Sequence, residues 1–600
     1  MNNKLHFFQE RINQFTSQAQ HFQKQDNTYV LVRTIFFIIA LILFVWFANN
    51  RDAVATALTL LISVPIFAIL ISKHQKIIAQ KKHYLALREI NEKEIKRLEG
   101  NFQDFKNIGE KYFDETHHCT ADLDIFGKNS LFQFLNHTVT PLGEAKLATW
   151  LEESATKSEI LERQKAVQEL SKKIDFLQNF EASGLSYKQS EKETAQFWEW
   201  IHKENQFANK PFFSFAAYFF PTLLVFSFVS IAFFDLPLLL ATIPILLNLF
   251  VLGKLNNYVK VTLLEVTPLL PTIQAASKLL AMVENETFES KMLTEQKAQL
   301  MLANKLVSKE IEKLSKLIAN LEFRQNPYFL TFVTIPLLWD LHYVLRLEHW
   351  RAAHSKSSEK WFEVVANFEA LNSFACFSFL YPSYTFPQII DNQFIYSAKE
   401  LGHPLIHVSK RITNDFKLEN RGTIYVVTGS NMSGKSTFQR TVGVNAVLAL
   451  AGAPVCASEM QISVLKVFTS MRTHDSLSES VSSFYAELKR IRQLLDHLQD
   501  EPPVLFLLDE ILKGTNSEDR NKGAKGLIRQ LHRNNLSGLV STHDLELGNM
   551  AKENPDFIKN YSFNSELIEQ DKLHFPYKIS EGICKSFNAS VLMKMIGIEL

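Results

Sequence analysis

The stretch TGSNMSGKSTFQR, Thr428–Arg440, decides how this chain is read. A β-type run, Thr423–Val427, leads into it, and a helix-forming stretch leaves it from Ser436. Between them Gly429 to Ser436 fits GxxxxGK[ST], the spacing at which a glycine-rich turn aims backbone N–H groups at phosphate. The helix that follows adds the positive end of its dipole. On this reading Gly429, Ser430, Asn431, Met432, Ser433, Gly434, Lys435, Ser436 and Thr437 cradle a nucleotide. Lys435 reaches the outer phosphates, and the Ser436 hydroxyl ligates Mg2+.

Such a cradle needs acids, and Pro503–Glu510 provides them, an apolar run ending in Asp509-Glu510. Asp509 is placed to hold the Mg2+, and Glu510 to orient or deprotonate the attacking water. A third run, Leu539–Ser541, leads into Thr542-His543, where His543 can sense the terminal phosphate. Short apolar runs alternating with helical stretches from about Ile395 predict a parallel sheet in an α/β domain.

Far upstream the texture is different. Val30–Ala48 and Ala53–Ser72 are apolar runs close to the roughly 20 residues a helix needs to cross hydrocarbon. Asn49-Asn50-Arg51-Asp52 joins them, which predicts a helical hairpin. Phe212–Phe234 and Leu236–Leu252 form a second pair, joined at Asp235-Leu236-Pro237. Lysines and arginines flank both pairs, so each hairpin is expected to enter from the cytoplasmic side and return to it. A third apolar stretch, Tyr328–Val344, carries Pro336, Asp340 and His342 and is expected to be a buried helix. Residues 74–112 and 283–323 show heptad-like apolar spacing, which predicts long amphipathic lever helices.

The balance of 64 basic and 63 acidic residues argues against a polyanion-binding surface spread over the whole chain. Cys119, Cys376, Cys456 and Cys584 lie far apart, which suits a reducing compartment. His117, His118 and Cys119 are adjacent, and neighbours in sequence do not converge on one ion without a turn, so no metal site is expected there.

The motif segments together resemble the MutS family of DNA mismatch-repair ATPases. Thr428–Ser436 resembles that family's phosphate loop, Asp509–Ser517 its acidic strand and following loop, and Thr542-His543 with Leu545-Glu546-Leu547 its T-H-x-x-E-L pattern. Asp475–Leu477, Ser482-Ser483-Phe484 and Glu487 resemble the family's signature segment. By that resemblance Ser482 reaches the neighbouring subunit's ATP in a dimer, and Ile412 and Asn414 border the adenine. Asp122–Gly127, Asn129–Phe132, Asn136–Gly143 and Arg163–Val167 resemble the start of the family's helical core; Phe368–Phe374 and Tyr384–Pro387 resemble its end. Departures are specific too. The family's mismatch-reading domain with its Phe-x-Glu wedge, and its connector domain, have no counterpart, and the first hairpin stands in their place. Ser480-Val481 and Leu512-Lys513 replace residues that are usually Gly-Arg.

The expected architecture is therefore mixed: multi-span helical membrane segments, an all-α MutS-type core and lever domain, and a C-terminal α/β P-loop domain. Its expected divisions are a cytoplasmic N-terminal segment (1–28), hairpin 1 (29–72), an amphipathic linker helix (73–118), the first part of the core (119–210), hairpin 2 (211–253), levers with the rest of the core (254–390) and the ATPase domain (391–600). The expected function is Mg2+-dependent ATP hydrolysis in a composite dimeric site, held at the inner (cytoplasmic) membrane with the ATPase in the cytoplasm. The homodimer, the membrane and DNA are the candidate partners. A transporter, or a membrane-process ATPase without DNA binding, is the alternative.

Overall fold

The structure is a computed structural model that describes residues 2–185, 187, 191–234, 236–302, 305–391, 393–472, 483–496, 502–569 and 572–585. Asp235, the Asp475–Leu477 segment, Ser480-Val481 and Ser482 lie outside the described residues.

Six strands carry the C-terminal sheet: β1 (Ile424–Gly429), β2 (Lys466–Ser470), β3 (Val504–Asp509), β4 (Ser537–Thr542), β5 (Ile558–Phe563) and β6 (Ile579–Glu581). Their order is β6-β5-β1-β4-β3-β2, with β1 to β5 parallel and β6 antiparallel at the edge. Every residue of β1 and β4 is buried, as continuous apolar runs in a parallel sheet covered on both faces require. Helix Lys435–Ala451 covers one face, its Gly443 lying so close to Leu123 that a Cβ there would come within 2.6 Å of Leu123 Cδ2. A four-stranded sheet, Gln388–Ile390, Glu459–Ser463, Ile395–Leu401 and Asn414–Glu419 in spatial order, stands beside it.

The helical part is built around Trp339–Leu380, a 42-residue helix. Buried Glu369 on it accepts from the backbone N–H groups of Val139 and Thr140 at 3.1 Å each and from the Thr140 hydroxyl. That contact docks helix Pro141–Glu152, whose Gly143 leaves room for the carboxylate: a Cβ there would sit 1.7 Å from Glu369 Oε2.

Among the described residues, four helices are long and apolar enough to cross a membrane. The first two, Asn2–Asn49 and Ala53–Glu99, are continuous well past the apolar runs, so positions 28 and 72 fall inside helices. Their apolar windows have no buried share at all. Asp52 caps the second helix by accepting from Ala55 N at 3.0 Å, and Arg51 takes a left-handed φ of 54° in the turn. At the polar end Phe8 and Phe15 bury against the helical core, and Arg11 pairs with Asp175 at 2.7 Å. The other two candidates are Pro211–Ile231 and Leu238–Asn285.

Three expectations from the sequence are corrected. The amphipathic helix expected over 74–112, and the linker helix over 73–118, end at Glu99, where Gly100 takes a left-handed φ of 77° and closes the helix. Residues 283–323 are not one lever helix: helices Leu270–Asn285, Lys291–Ala298 and Val307–Glu322 are separated by a short antiparallel pair in which Met301 faces Leu306. Residues 328–344 are not a buried helix. A π-helical turn at Leu330–Thr334 and a left-handed Leu338 (φ 49°) break the chain by 77°, leaving Tyr328 and Phe332 about three-quarters exposed.

Candidate functional site

Parallel register sets three strand ends level. Thr542 of β4 pairs with Thr428 of β1, and Ser541 pairs with Asp509 of β3. The loop after β1, the acids after β3 and the histidine after β4 therefore meet at the carboxyl edge of the sheet, the place where open α/β sheets bind ligands.

Two glycines shape the loop. A Cβ at Gly429 would lie 2.7 Å from Ser433 Oγ and 3.0 Å from the Phe563 carbonyl. Gly434 turns at φ +103°, and a Cβ there would lie 3.0 Å from Tyr577 Cδ1. Asn431 and Met432 face solvent, while Ser430, Ser433 and Lys435 are buried and Ser436 and Thr437 begin the helix. Lys435 donates from Nζ to the carbonyls of Gly429 (2.8 Å) and Ser430 (3.0 Å). Burial lowers its pKa, opposed by Glu510 and Asp509.

Ser436 donates from its hydroxyl to Asp509 Oδ2 at 2.5 Å. The other Asp509 oxygen takes the Ser541 hydroxyl. Glu510 does not continue the strand: it turns at φ 52°, its N–H donating to Ser541 O at 3.0 Å. Its carboxylate lies 3.3 Å from Lys513 Nζ and 3.7 Å from His543 Nδ1. Burial would raise the Glu510 carboxyl, but Lys513, Lys435 and His543 outweigh it and hold the group below the usual glutamate range. It is ionised at neutral pH, as a proton acceptor must be.

Ile412 and Asn414 line the same cleft of about 420 Å3, together with Glu510, Phe563 and Tyr577. Asn414 is committed to structure: Nδ2 donates to Tyr577 O (3.1 Å) and Oδ1 accepts from Ile579 N (2.9 Å). It thereby holds half-exposed Tyr577 against the phosphate loop. Tyr577 has no spacing signal in the sequence; fold contacts such as this one bring it to the site. His403 on the same wall is equally silent in sequence, and burial pushes it down to about 4.

The acidic loop is gripped from the side. Glu487, on helix Ser483–Asp496, accepts from the N–H groups of Leu512 and Lys513. Gly514 lies against Phe484, where a Cβ would come within 2.5 Å of Phe484 Cβ. Asp122 of the helical part accepts from Thr469 Oγ1 (2.8 Å), Met471 N (3.0 Å) and Arg472 N (3.0 Å), joining the helical core to the end of β2. Asp124 meets Arg440, on the helix leaving the loop, at 3.1 Å.

A turn brings the ligand atoms of His117, His118 and Cys119 within 4.8 Å of one another, contrary to the expected divergence. His117 Nδ1 is already engaged there, accepting from the N–H groups of Cys119 and Thr120 at 3.3 Å each. Burial pushes the Cys119 thiol up to about 12, far from the thiolate a metal takes.

Residues 425–598 match the MutS domain V family. DNA mismatch repair protein MutS of Staphylococcus haemolyticus is 29% identical over 251 residues, covering 40% of this chain and 28% of that protein. The protein of the same name in Listeria welshimeri is 29% identical over 300 residues, covering 48% of this chain and 32% of its own. That of Ehrlichia ruminantium is 34% identical over 191 residues, covering 31% and 23%. The chain thus spans a third or less of the length of these relatives. Residues 425–598 thus carry a MutS domain V, and over that part the chain is similar to MutS proteins.

Proposed function

We propose that the chain is a membrane-anchored MutS-type ATPase that binds ATP and Mg2+ at this cleft and works as a dimer. The carrying observation is the convergence of Lys435, Ser436, Asp509, Glu510 and His543 at one sheet edge. The donor set fits the group. A hydroxyl and a carboxylate facing each other at 2.5 Å are hard oxygen ligands of the kind Mg2+ takes. Buried hydroxyls of Ser430 and Ser433, without hydrogen-bond partners among the described residues, line the loop. ATP brings the phosphoanhydride that is cleaved, and Mg2+ neutralises its charge.

In this reading Ser436 and Asp509 hold the metal, and Lys435 leaves the loop carbonyls to meet phosphate oxygens. Glu510, kept ionised by Lys513, accepts a proton from the attacking water, and His543 steadies its other oxygen. Tyr577 offers its ring to the base. Glu487 ties the acidic loop to the helix that follows Ser482, the residue proposed to reach the partner subunit's nucleotide. The four apolar helices, with basic flanks, support anchoring from the cytoplasmic side. The test of the chemistry is Glu510→Gln. It should retain ATP binding and lose hydrolysis by about 100-fold or more; hydrolysis at the unmodified rate removes Glu510 as the base.

The relatives' name makes duplex DNA the first partner to test. Phosphate contacts would give an affinity that falls steeply with salt. A flat absence of binding at low salt, with and without ATP, removes DNA from the reading.

A further inference from the structure

The broken segment Pro327–Leu337 sits where the helical core meets the second pair of apolar helices. Both of its flanks leave in the same direction. Trp339 donates from Nε1 to Asn320 O (2.9 Å), and Trp350 donates to Glu310 O (3.0 Å), so helices Val307–Glu322 and Trp339–Leu380 run antiparallel side by side. The segment between them is therefore a tip. Its eleven residues would extend about 16 Å if fully helical, half of the roughly 30 Å hydrocarbon layer. It is too short to cross and return.

The tip is fixed at two heights along helix Thr242–Val266. At its base Arg324 pairs with buried Asp340 at 3.2 Å and reaches Asn256 Oδ1. Nearer the break, Asn248 donates from Nδ2 to the carbonyls of Ile335 and Pro336 at 3.0 Å each. Asn248 and Asn256 are eight residues apart, about 12 Å along the helix, and lie on opposite sides of Lys254, the basic flank of the apolar run. Freed carbonyls at such a depth are tolerated only with an internal donor, which Asn248 is. Beyond these anchors the tip exposes Tyr328 (77%), Phe332 (74%) and Leu337 (44%), and its end, Ile335–Leu337, packs on helix Pro211–Phe234, which itself exposes Phe215, Phe219 and Phe226.

We propose that Pro327–Leu337 is a re-entrant wedge seated in the acyl chains of the cytoplasmic leaflet. Through it the helix pair Val307–Glu322 and Trp339–Leu380 touches the bilayer directly. The inference rests on the anchoring proposed above and adds a fifth lipid contact, one attached to the core rather than to a hairpin. The occupant follows from position: the helix that pins the tip lies in a candidate span, and the tip packs on the other helix of the same apolar pair.

The test uses the full chain in phosphatidylcholine–phosphatidylglycerol vesicles. Phe332→Cys and, separately, Phe226→Cys in the second apolar pair are labelled with bimane. The four native cysteines are buried, so the unmodified chain sets the labelling background. Lipid nitroxides should quench both probes to within about twofold, with aqueous iodide ineffective. At Phe332 a nitroxide near the headgroup should quench more than one near the bilayer centre. If iodide alone quenches Phe332 while lipid quenches Phe226, the wedge is wrong and the anchoring stands. If neither quenches Phe332, protein covers the tip and the lipid assignment is overturned. Strongest quenching of Phe332 from the bilayer centre makes the segment a broken span instead. If lipid fails to quench Phe226, the anchoring itself fails.

Discussion

At the scale of single residues the site's chemistry is set by what surrounds Glu510. Lys513, Lys435 and His543 lower its pKa against the opposing effect of burial. A group whose pKa is depressed stays charged as pH falls, so hydrolysis should hold level down to the usual glutamate range, about 4.3, and fail only below it. Replacing Lys513 with Met should shift that acid limb upward, measured as kcat against pH; an unmoved limb would remove Lys513 from the role. Tyr577→Ala should weaken ATP binding about tenfold through lost base stacking, with Tyr577→Phe near normal, read by nucleotide titration. The phosphate loop, the acids and His543 were legible in sequence because each follows a strand within a few residues. Tyr577 was not: it reaches the loop through contacts of its segment with Thr413 and Asn414, far away in sequence. Asn414, expected to border the adenine, lines the cleft with its amide bonded to backbone.

Between elements, coupling runs through buried carboxylates. Asp122 is almost fully buried and satisfies three donors at the end of β2. Asp122→Ala would strand two backbone N–H groups and should cost about 2 kcal/mol or more in denaturant unfolding, while Asp122→Asn should recover part of it. Gly143→Ala drives a methyl into the Glu369 carboxylate and should destabilise the helical part by about 1–3 kcal/mol; no change in midpoint would mean that the helix slides freely. Element boundaries are where sequence reading failed. Leu293, Leu300, Leu302 and Leu306 fit heptad-like spacing, and Leu293 and Leu300 are buried, but such spacing does not report whether the backbone between them stays helical. Here the Met301–Leu306 pair interrupts it. At 328–344 the apolar count was right, and burial held from Leu338 onward but not at Tyr328, Phe332 and Leu337, because composition does not distinguish a face packed on protein from a face left bare. The parallel sheet was legible because β1, β3 and β4 are short, continuous apolar runs.

For the whole molecule, the proposal joins a MutS-type engine to a bilayer through helices that run unbroken from apolar run to core. Phe8, Phe15 and Arg11 seat the first helix on the core, so motion of the core is passed to the hairpin without a flexible joint. The chain should accordingly stay with membranes through alkaline carbonate and leave only with detergent; release by carbonate alone would contradict the anchoring. The central claim is that this bilayer-held ATPase fires in pairs with Glu510 as the base. Its most direct test is steady-state Mg2+-dependent ATP hydrolysis by the full chain in nanodiscs holding one or two copies, beside Glu510→Gln. Two-copy discs should hydrolyse ATP, with one-copy discs and Glu510→Gln slower by about 100-fold. Equal rates in all three would contradict the account.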